Sequence, residues 1–302
     1  MTVDGLVVVD KPPGCTSHDV VGRLRRVYGQ RRVGHAGTLD PDATGVLLVG
    51  LGRATRLLRF LQETSKTYRA TVVFGVATDS LDSSGAVLDR VAMRLSREQI
   101  EVAARGFVGM SEQIPPMVSA IKVGGRRLHE LARRGVEVER VARRIRIDRF
   151  DVDAFTDGAY PEAGVVVECS SGTYVRSLAA DLGVALGGCA HLRDLRRLRV
   201  GAFEIDAAHT LEAIEADPDA AVLTPADAMR ALTKIAVSGE EARAVGHGVV
   251  FAAAALPAVG DAPGPFAVVD GDGTLLAVYE RRGAALCAAV VVVPANVGVG
   301  DA

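Results

Sequence analysis

The sequence predicts an α+β fold followed by a smaller all-β module, and three observations carry that reading. Short β-branched runs alternate with capped, amphipathic helical segments up to about residue 205. Beyond that point Asp and Pro punctuate the chain, then short Val- and Ala-rich runs recur between Gly turns. Charge changes at the same place: residues 1–202 carry 30 Lys and Arg against 23 Asp and Glu, whereas residues 203–302 carry 5 against 14. With 302 residues and 49% hydrophobic content, the chain is long enough for two cores.

In order, Leu6 to Val9 is a strand ended by Lys11-Pro12-Pro13-Gly14. Ser17 then caps a helix with Val20, Val21, Leu24 and Val27 on one face, closed by Gly29. Val46 to Val49 reads as a buried strand, and Ala54, Leu57, Leu58 and Leu61 as a short helix. Thr67 to Phe74 alternates, which puts Tyr68 inward with Ala70, Val72 and Phe74 while Arg69 points away. A polar turn at Thr78 to Gly85 precedes an amphipathic helix over Ser96 to Val108, capped by Ser96. Pro115-Pro116 stops that pattern. Lys122 to Arg149 then carries ten Lys or Arg and four acids, a nucleic-acid surface or a solvated helix. Val165 to Cys169 is a strand, and Ser170 to Thr173 leads into a helix with Leu178, Leu182, Ala185 and Leu186 on one side and Tyr174 and Arg176 at its start. A second basic run, Arg193, Arg196, Arg197 and Arg199, reads as a helix surface before the strand-like Ala202 to Ile205. Ala267 to Asp270, Gly271-Asp272-Gly273 and Leu275 to Tyr279 form a hairpin.

Composition bounds function. A net charge of −2 argues against a nucleic-acid binder, but the regional split removes that objection for the first two-thirds of the chain. Cys15, Cys169, Cys189 and Cys287 are widely spaced and read as buried thiols in a reducing compartment, with no structural zinc site. No basic leader or run of about 20 apolar residues is present, so the expectation is a cytoplasmic protein away from membranes. P-loop, G-x-S-x-G, H-E-x-x-H and G-x-G-x-x-G patterns are missing, which removes the commoner nucleotide and hydrolase chemistries.

What stands out instead is Gly34 to Leu47, GHAGTLDPDATGVL. Asp40 precedes Pro41, which biases it away from helix, and Gly34, Gly37 and Gly45 permit tight turns and close approach. An aspartate so placed can serve as nucleophile or general base only while ionised, and Arg176 is the best candidate to keep it so. Asp42 reads as a turn residue.

Seven blocks then resemble one family in its own order: DKPPGCTSHDVV at 10–21, GHAGTLDPDATGVL at 34–47, KTYRA at 66–70, TDSLDSSG at 78–85, PPMVSAIKVGGRRLHELARRG at 115–135, SSGTYVRSLAADLG at 170–183 and AHLRDLRR at 190–197. They are similar to those of the TruB-type tRNA pseudouridine-55 synthases, which isomerise a uridine in the tRNA T-loop. The resemblance implies a pseudouridine synthase fold, α+β, with a mixed, largely antiparallel central sheet flanked by helices and loops, over residues 1–205. It further implies a thumb-like basic insertion at about 115–146, then residues 206–302 as a linker and small PUA-like domain with its core at about 234–295. By position, Asp40 matches the catalytic aspartate and Arg176 its paired arginine. Tyr68 matches the tyrosine that packs on the target base and is a candidate base for proton transfer. His35 matches the histidine that accompanies base flipping, Tyr174 and Leu195 match residues lining the uracil pocket, and Asp82 a further polar position nearby. Lys122, Arg126 and Arg127 fall in the thumb that grips the T-arm. The implied enzyme is a monomer acting on tRNA with no cofactor and no metal. Ser171 stands where many members carry lysine. Two alternatives of other classes are a non-catalytic RNA-folding factor and a nucleoside hydrolase; the joint Asp40, Tyr68 and Arg176 set favours the synthase over both.

Overall fold

The computed structural model describes residues 2–117, 122–123, 126–127, 138–253 and 259–293, with 122–123 and 126–127 described in backbone only. Among these, ten strands form one sheet. Its order is Val222–Leu223, Gly5–Lys11, Thr44–Leu51, Ala190–Val200, Lys66–Phe74, Glu162–Cys169, Arg143–Thr156 and Gly109–Gln113, with Val33–Ala36 paired to Thr44–Leu51 and Phe203–Glu204 to Ala190–Val200. Every pairing is antiparallel except Thr44–Leu51 with Ala190–Val200, where Arg196 faces Thr44 and Arg197 faces Gly45. The mixed, largely antiparallel sheet matches the expectation.

Strand alternation gives this sheet two apolar faces. Val7, Val9, Leu47, Val49, Tyr68, Val72 and Phe74 point to one side, under helices Ser17–Val27, Arg97–Arg105 and Val175–Ala185. Leu6, Val8, Val46 and Leu48 point to the other, where Leu58 and Leu61 of helix Leu58–Gln62 meet Ala267, Val269, Leu275 and Val278. Those last residues belong to a second sheet, ordered Thr233–Ala236, Phe266–Val269, Leu275–Arg282, Ala285–Val291 and Phe251–Ala252, with helix Gly239–Gly246 against it. Arg53 and Arg56 fasten the two sheets together by donating to the carbonyls of Val292 and Val291 at 3.1 and 2.9 Å.

Several local expectations need correction. The first helix is capped by Thr16, not Ser17: Asp19 lies three residues after Thr16 and completes a reciprocal capping box. Ser17 is buried and turned to another task. The second basic run lies on a strand, Ala190–Val200, and not on a helix; Arg193, Arg196 and Arg199 share the face of Thr71, Arg69 and Thr67, and only Arg197 turns to the Tyr68 face. Arg143 to Arg149 likewise lie on strand Arg143–Thr156, while residues 118–121, 124–125 and 128–137 of the expected thumb fall outside the described residues. Lys122–Val123 and Arg126–Arg127 pair as a short antiparallel ribbon. Of the four thiols only Cys169 is fully buried.

Candidate active site

Asp40 sits on the loop between strands Val33–Ala36 and Thr44–Leu51, and that loop is pinned from below. The buried Ser17 hydroxyl accepts from the Leu39 N–H at 2.9 Å and donates to the Leu39 carbonyl at 3.2 Å. Lys11, wholly buried, donates to the carbonyls of Pro12, Cys15 and Pro41 at 2.8, 2.7 and 2.9 Å. One ammonium thus ties the Pro-Pro-Gly turn under the Asp40 loop. Gly45, at φ 100°, closes it: a Cβ there would lie 2.2 Å from the Arg197 carbonyl oxygen, so only glycine lets the two strands meet.

The Asp40 side chain, 42% exposed, is met by an arginine that is 5% exposed. Arg176, in the first turn of its helix, reaches it as a fork, Nε to Oδ2 at 3.1 Å and Nη2 to Oδ1 at 3.2 Å. Its Nη1 donates to the Ser80 carbonyl at 2.9 Å and lies 3.4 Å from Asp82 Oδ2. The other oxygen of Asp82 accepts from the Ser80 and Ser84 hydroxyls, each at 2.6 Å, and from the Ser84 N–H at 3.1 Å. The TDSLDSSG turn is docked on the sheet, since the Leu192 N–H donates to the Leu81 carbonyl and the Ser83 N–H to the Leu192 carbonyl, both at 3.0 Å. Burial pushes the Asp40 carboxyl above the ordinary aspartate range, and the charge of Asp82 adds to that; Arg176 and Lys11 oppose the shift without cancelling it. The arginine therefore orients Asp40 and offsets the effect of burial only in part.

Tyr68 is buried on the same side of the sheet, opposite Arg197 on one neighbouring strand and Val167 on the other. Burial raises its phenol, and the positive charge of the Arg197 guanidinium on the facing strand pulls the other way. A bulge between Arg193 and Arg196, with Asp194 at φ 56°, shifts the strand and leaves Leu195 half-buried against the main core. Tyr174 is half-buried two residues before Arg176; the buried Gln113 amide clamps its backbone, accepting from its N–H at 2.8 Å and donating to its carbonyl at 3.1 Å. His35 is half-buried and edge-on to His18, ring centres 5.7 Å apart; burial, His18 and then Arg197 lower its pKa. Direct contacts thus join Asp40, Arg176 and Asp82, while Tyr68 stands across from Arg197, which holds the Gly37 carbonyl of the Asp40 loop, and His35 stands to one side. The side chains of Lys122, Arg126 and Arg127 lie outside the described residues.

Sequence reasoning missed Arg197, Lys11, Ser80 and Gln113. Arg197, Gln113 and, at Pro41, Lys11 hold main-chain atoms far away in the chain, and Ser80 serves the distant Arg176 through its own carbonyl, so no local spacing marks them; Arg197 also hides within a run of less buried arginines. A cavity of about 350 Å³ on the opposite sheet face, lined by Arg69, Thr71, Glu162 and Arg196, holds none of the site residues. Its arginines are paired, Arg69 with Asp153 and Arg196 with Asp10. Among the described residues no three His, Cys, Asp or Glu stand close enough to hold a metal, and no helix is long and apolar enough to cross a membrane.

Comparison with known proteins gives the geometry a lineage. Residues 25–175 match the TruB family pseudouridylate synthase N-terminal domain, and residues 176–231 the tRNA pseudouridylate synthase B C-terminal domain. The chain is 45% identical over 295 residues to tRNA pseudouridine synthase B of Mycobacterium sp. (strain KMS), covering 97% of each. It is 46% identical over 298 residues to the protein of that name from Mycolicibacterium paratuberculosis (strain ATCC BAA-968 / K-10), covering 98% of this chain and 100% of the relative. Among solved structures it resembles a Cbf5-Nop10-Gar1 complex, with a TM-score of 0.76 at 25% identity over 97% of this chain and 86% of that one. An H/ACA RNP bound to a substrate RNA containing 2'-deoxyuridine shares the fold, with a TM-score of 0.71 at 23% identity over 97% of this chain and 86% of that one. Matched by family from residue 25 to 231 and by curated relatives over nearly its whole length, the chain belongs to the TruB family of pseudouridylate synthases, which are isomerases.

Proposed function

We propose that the chain converts uridine 55 in the T-loop of tRNA to pseudouridine, with Asp40 as the essential carboxylate. Residues 1–205 are assigned to the catalytic unit, the basic stretch at about 115–146 to gripping the T-arm, and residues 206–302 to an accessory unit. The observation that carries the reading is the fork from the buried Arg176 to the half-exposed Asp40, with Asp82 holding the arginine from behind.

The chemistry asks for such an arrangement. A uridine inside a folded loop has to be extruded, at a cost of a few kcal/mol that stacking and a close-fitting pocket offset. His35 is suited to the vacated stack, Tyr68 to the flipped base, and Tyr174 and Leu195 to the pocket walls. The N1–C1' bond then breaks, the uracil turns in place, C5 joins C1', and the proton on C5 leaves as one returns to N1. Substrate and product contain the same atoms, so no oxidant or co-reactant is required. A detached uracil has to be kept from water, which the apolar walls serve. Whether Asp40 attacks C1' or assists loss of a proton at C2', it must be ionised and aimed at the ribose, and the fork supplies the aim.

Carbodiimide mapping of a tRNA transcript after incubation tests the reading. Pseudouridine at position 55 with wild-type protein and none with Asp40→Ala, which still binds, is the expected result. Free uracil would instead indicate a nucleoside hydrolase, and bound but unmodified RNA an RNA-folding factor.

A further inference from the structure

Arg197 is among the largest fully buried side chains, 1% exposed, and the reading above gives it no task. Among the described residues its hydrogen bonds run to two carbonyls, and none to a carboxylate. Nε donates to the Val46 carbonyl at 2.7 Å and Nη2 donates to the Gly37 carbonyl at 3.1 Å. A guanidinium buried without a counter-ion is costly, so its place in the fold is accounted for by what its donors hold. Gly37 and Val46 bracket the Asp40 loop, one at each end. Directly across the sheet from Arg197, and in register with it, stands the buried Tyr68.

The direction of the hydrogen bonds adds a constraint. Arginine has only donors, so a phenol that bonds it does so through its oxygen. The phenol's own proton then has to point away from Arg197. We propose that Arg197 is a positioning residue for the isomerisation: it pins both ends of the Asp40 loop and turns the Tyr68 hydroxyl so that its proton is offered to the flipped uracil. Lysine cannot replace it, because one nitrogen does not span three partners set in three directions. This rests on the placing of Tyr68 against the flipped base above.

The test is a double-mutant cycle on the full chain. Single-turnover pseudouridine formation and T-arm RNA affinity are measured for wild type, Tyr68→Phe, Arg197→Lys and the double variant. Arg197→Lys is expected to slow the reaction by about 10²-fold, the scale of a small misplacement at the reacting centre, with RNA affinity unchanged. Tyr68→Phe is expected to be costly in the wild type and to cost far less once Arg197 is lysine, because the hydroxyl is no longer aimed. An equal fold-cost in both backgrounds overturns the proposal. A Tyr68→Phe variant at the wild-type rate overturns any part for the Tyr68 hydroxyl, and this inference with it, while the Asp40 assignment stands. A second measurement does not depend on whether any Arg197 variant folds: in Tyr68→Phe, exchange of the Arg197 guanidinium protons, followed by nitrogen NMR, is expected to quicken. Unchanged exchange contradicts the contact.

Discussion

Replacing Arg176 separates the two things its guanidinium does for Asp40, which are to fix its position and to oppose the effect of burial. Lysine keeps the charge and loses the fork, whereas methionine loses both. A charge-assisted hydrogen bond contributes about 1.5–3 kcal/mol. Solvent at Asp40, whose side chain is 42% exposed, brings each of the two contacts toward the lower end of that range. Losing one of them, about 2 kcal/mol, corresponds to about thirtyfold in rate if it is expressed in the transition state. The assay is single-turnover conversion of a T-arm transcript at saturating enzyme, repeated across pH. Arg176→Lys is expected to lower the plateau about thirtyfold and leave the acid limb in place. In Arg176→Met, burial and the like charge of Asp82 act on Asp40 with less opposition, so its pKa rises further and the acid limb moves to higher pH. Arg176→Lys at the wild-type rate, or Arg176→Met with its acid limb unmoved, would refute the reasoning.

Other outcomes follow from the same contacts. Gly45→Ala would set a Cβ 2.2 Å from the Arg197 carbonyl at φ 100°. Backbone strain alone, about 1–3 kcal/mol, lowers Tm by several degrees, and the overlap lowers it further; an unchanged melting curve contradicts the close approach. Burial pushes Lys66 down to about 8 from 10.5, so between those values the unfolded chain holds a proton that the folded chain has released. Wild-type stability therefore rises relative to Lys66→Met as pH climbs through that window, a difference read by denaturant titration; a constant difference defeats the assignment. Exchanging Lys122, Arg126 and Arg127 together for Ser is expected to weaken RNA binding and to reduce the log-log salt slope by about 2. Fluorescence titration at several salt concentrations gives that slope, and one equal to wild type excludes these residues from phosphate contact.

Alternation made the Tyr68 strand and its inward tyrosine legible, and Ser96 marked its helix because Gln99 completes a capping box there. The Asp40 turn was legible from Pro41 and the glycines around it. What the sequence hid are long-range uses of ordinary residues. Cys15-Thr16-Ser17 offers adjacent hydroxyls, and only the reach of Asp19 decides that Thr16 caps while Ser17 is free to hold Leu39. Arg193, Arg196, Arg197 and Arg199 look alike as a string, yet a bulge at Asp194 and Leu195 turns Arg197 inward while Arg193, Arg196 and Arg199 pair with Glu162, Asp10 and Glu168. Nor does spacing show that three buried cations, Lys11, Lys66 and Arg197, are held on main-chain carbonyls. Such partners carry no side-chain signature.

The account stands most directly on the Asp40 carboxylate. Tritium release from tRNA labelled at C5 of its uridines, measured in single turnover with wild type and with Asp40→Asn, isolates that group while sparing its size. Release with wild type at one uridine per tRNA, and none with Asp40→Asn at undiminished tRNA binding, is the predicted result. Release by Asp40→Asn at the wild-type rate would contradict the assignment of the site.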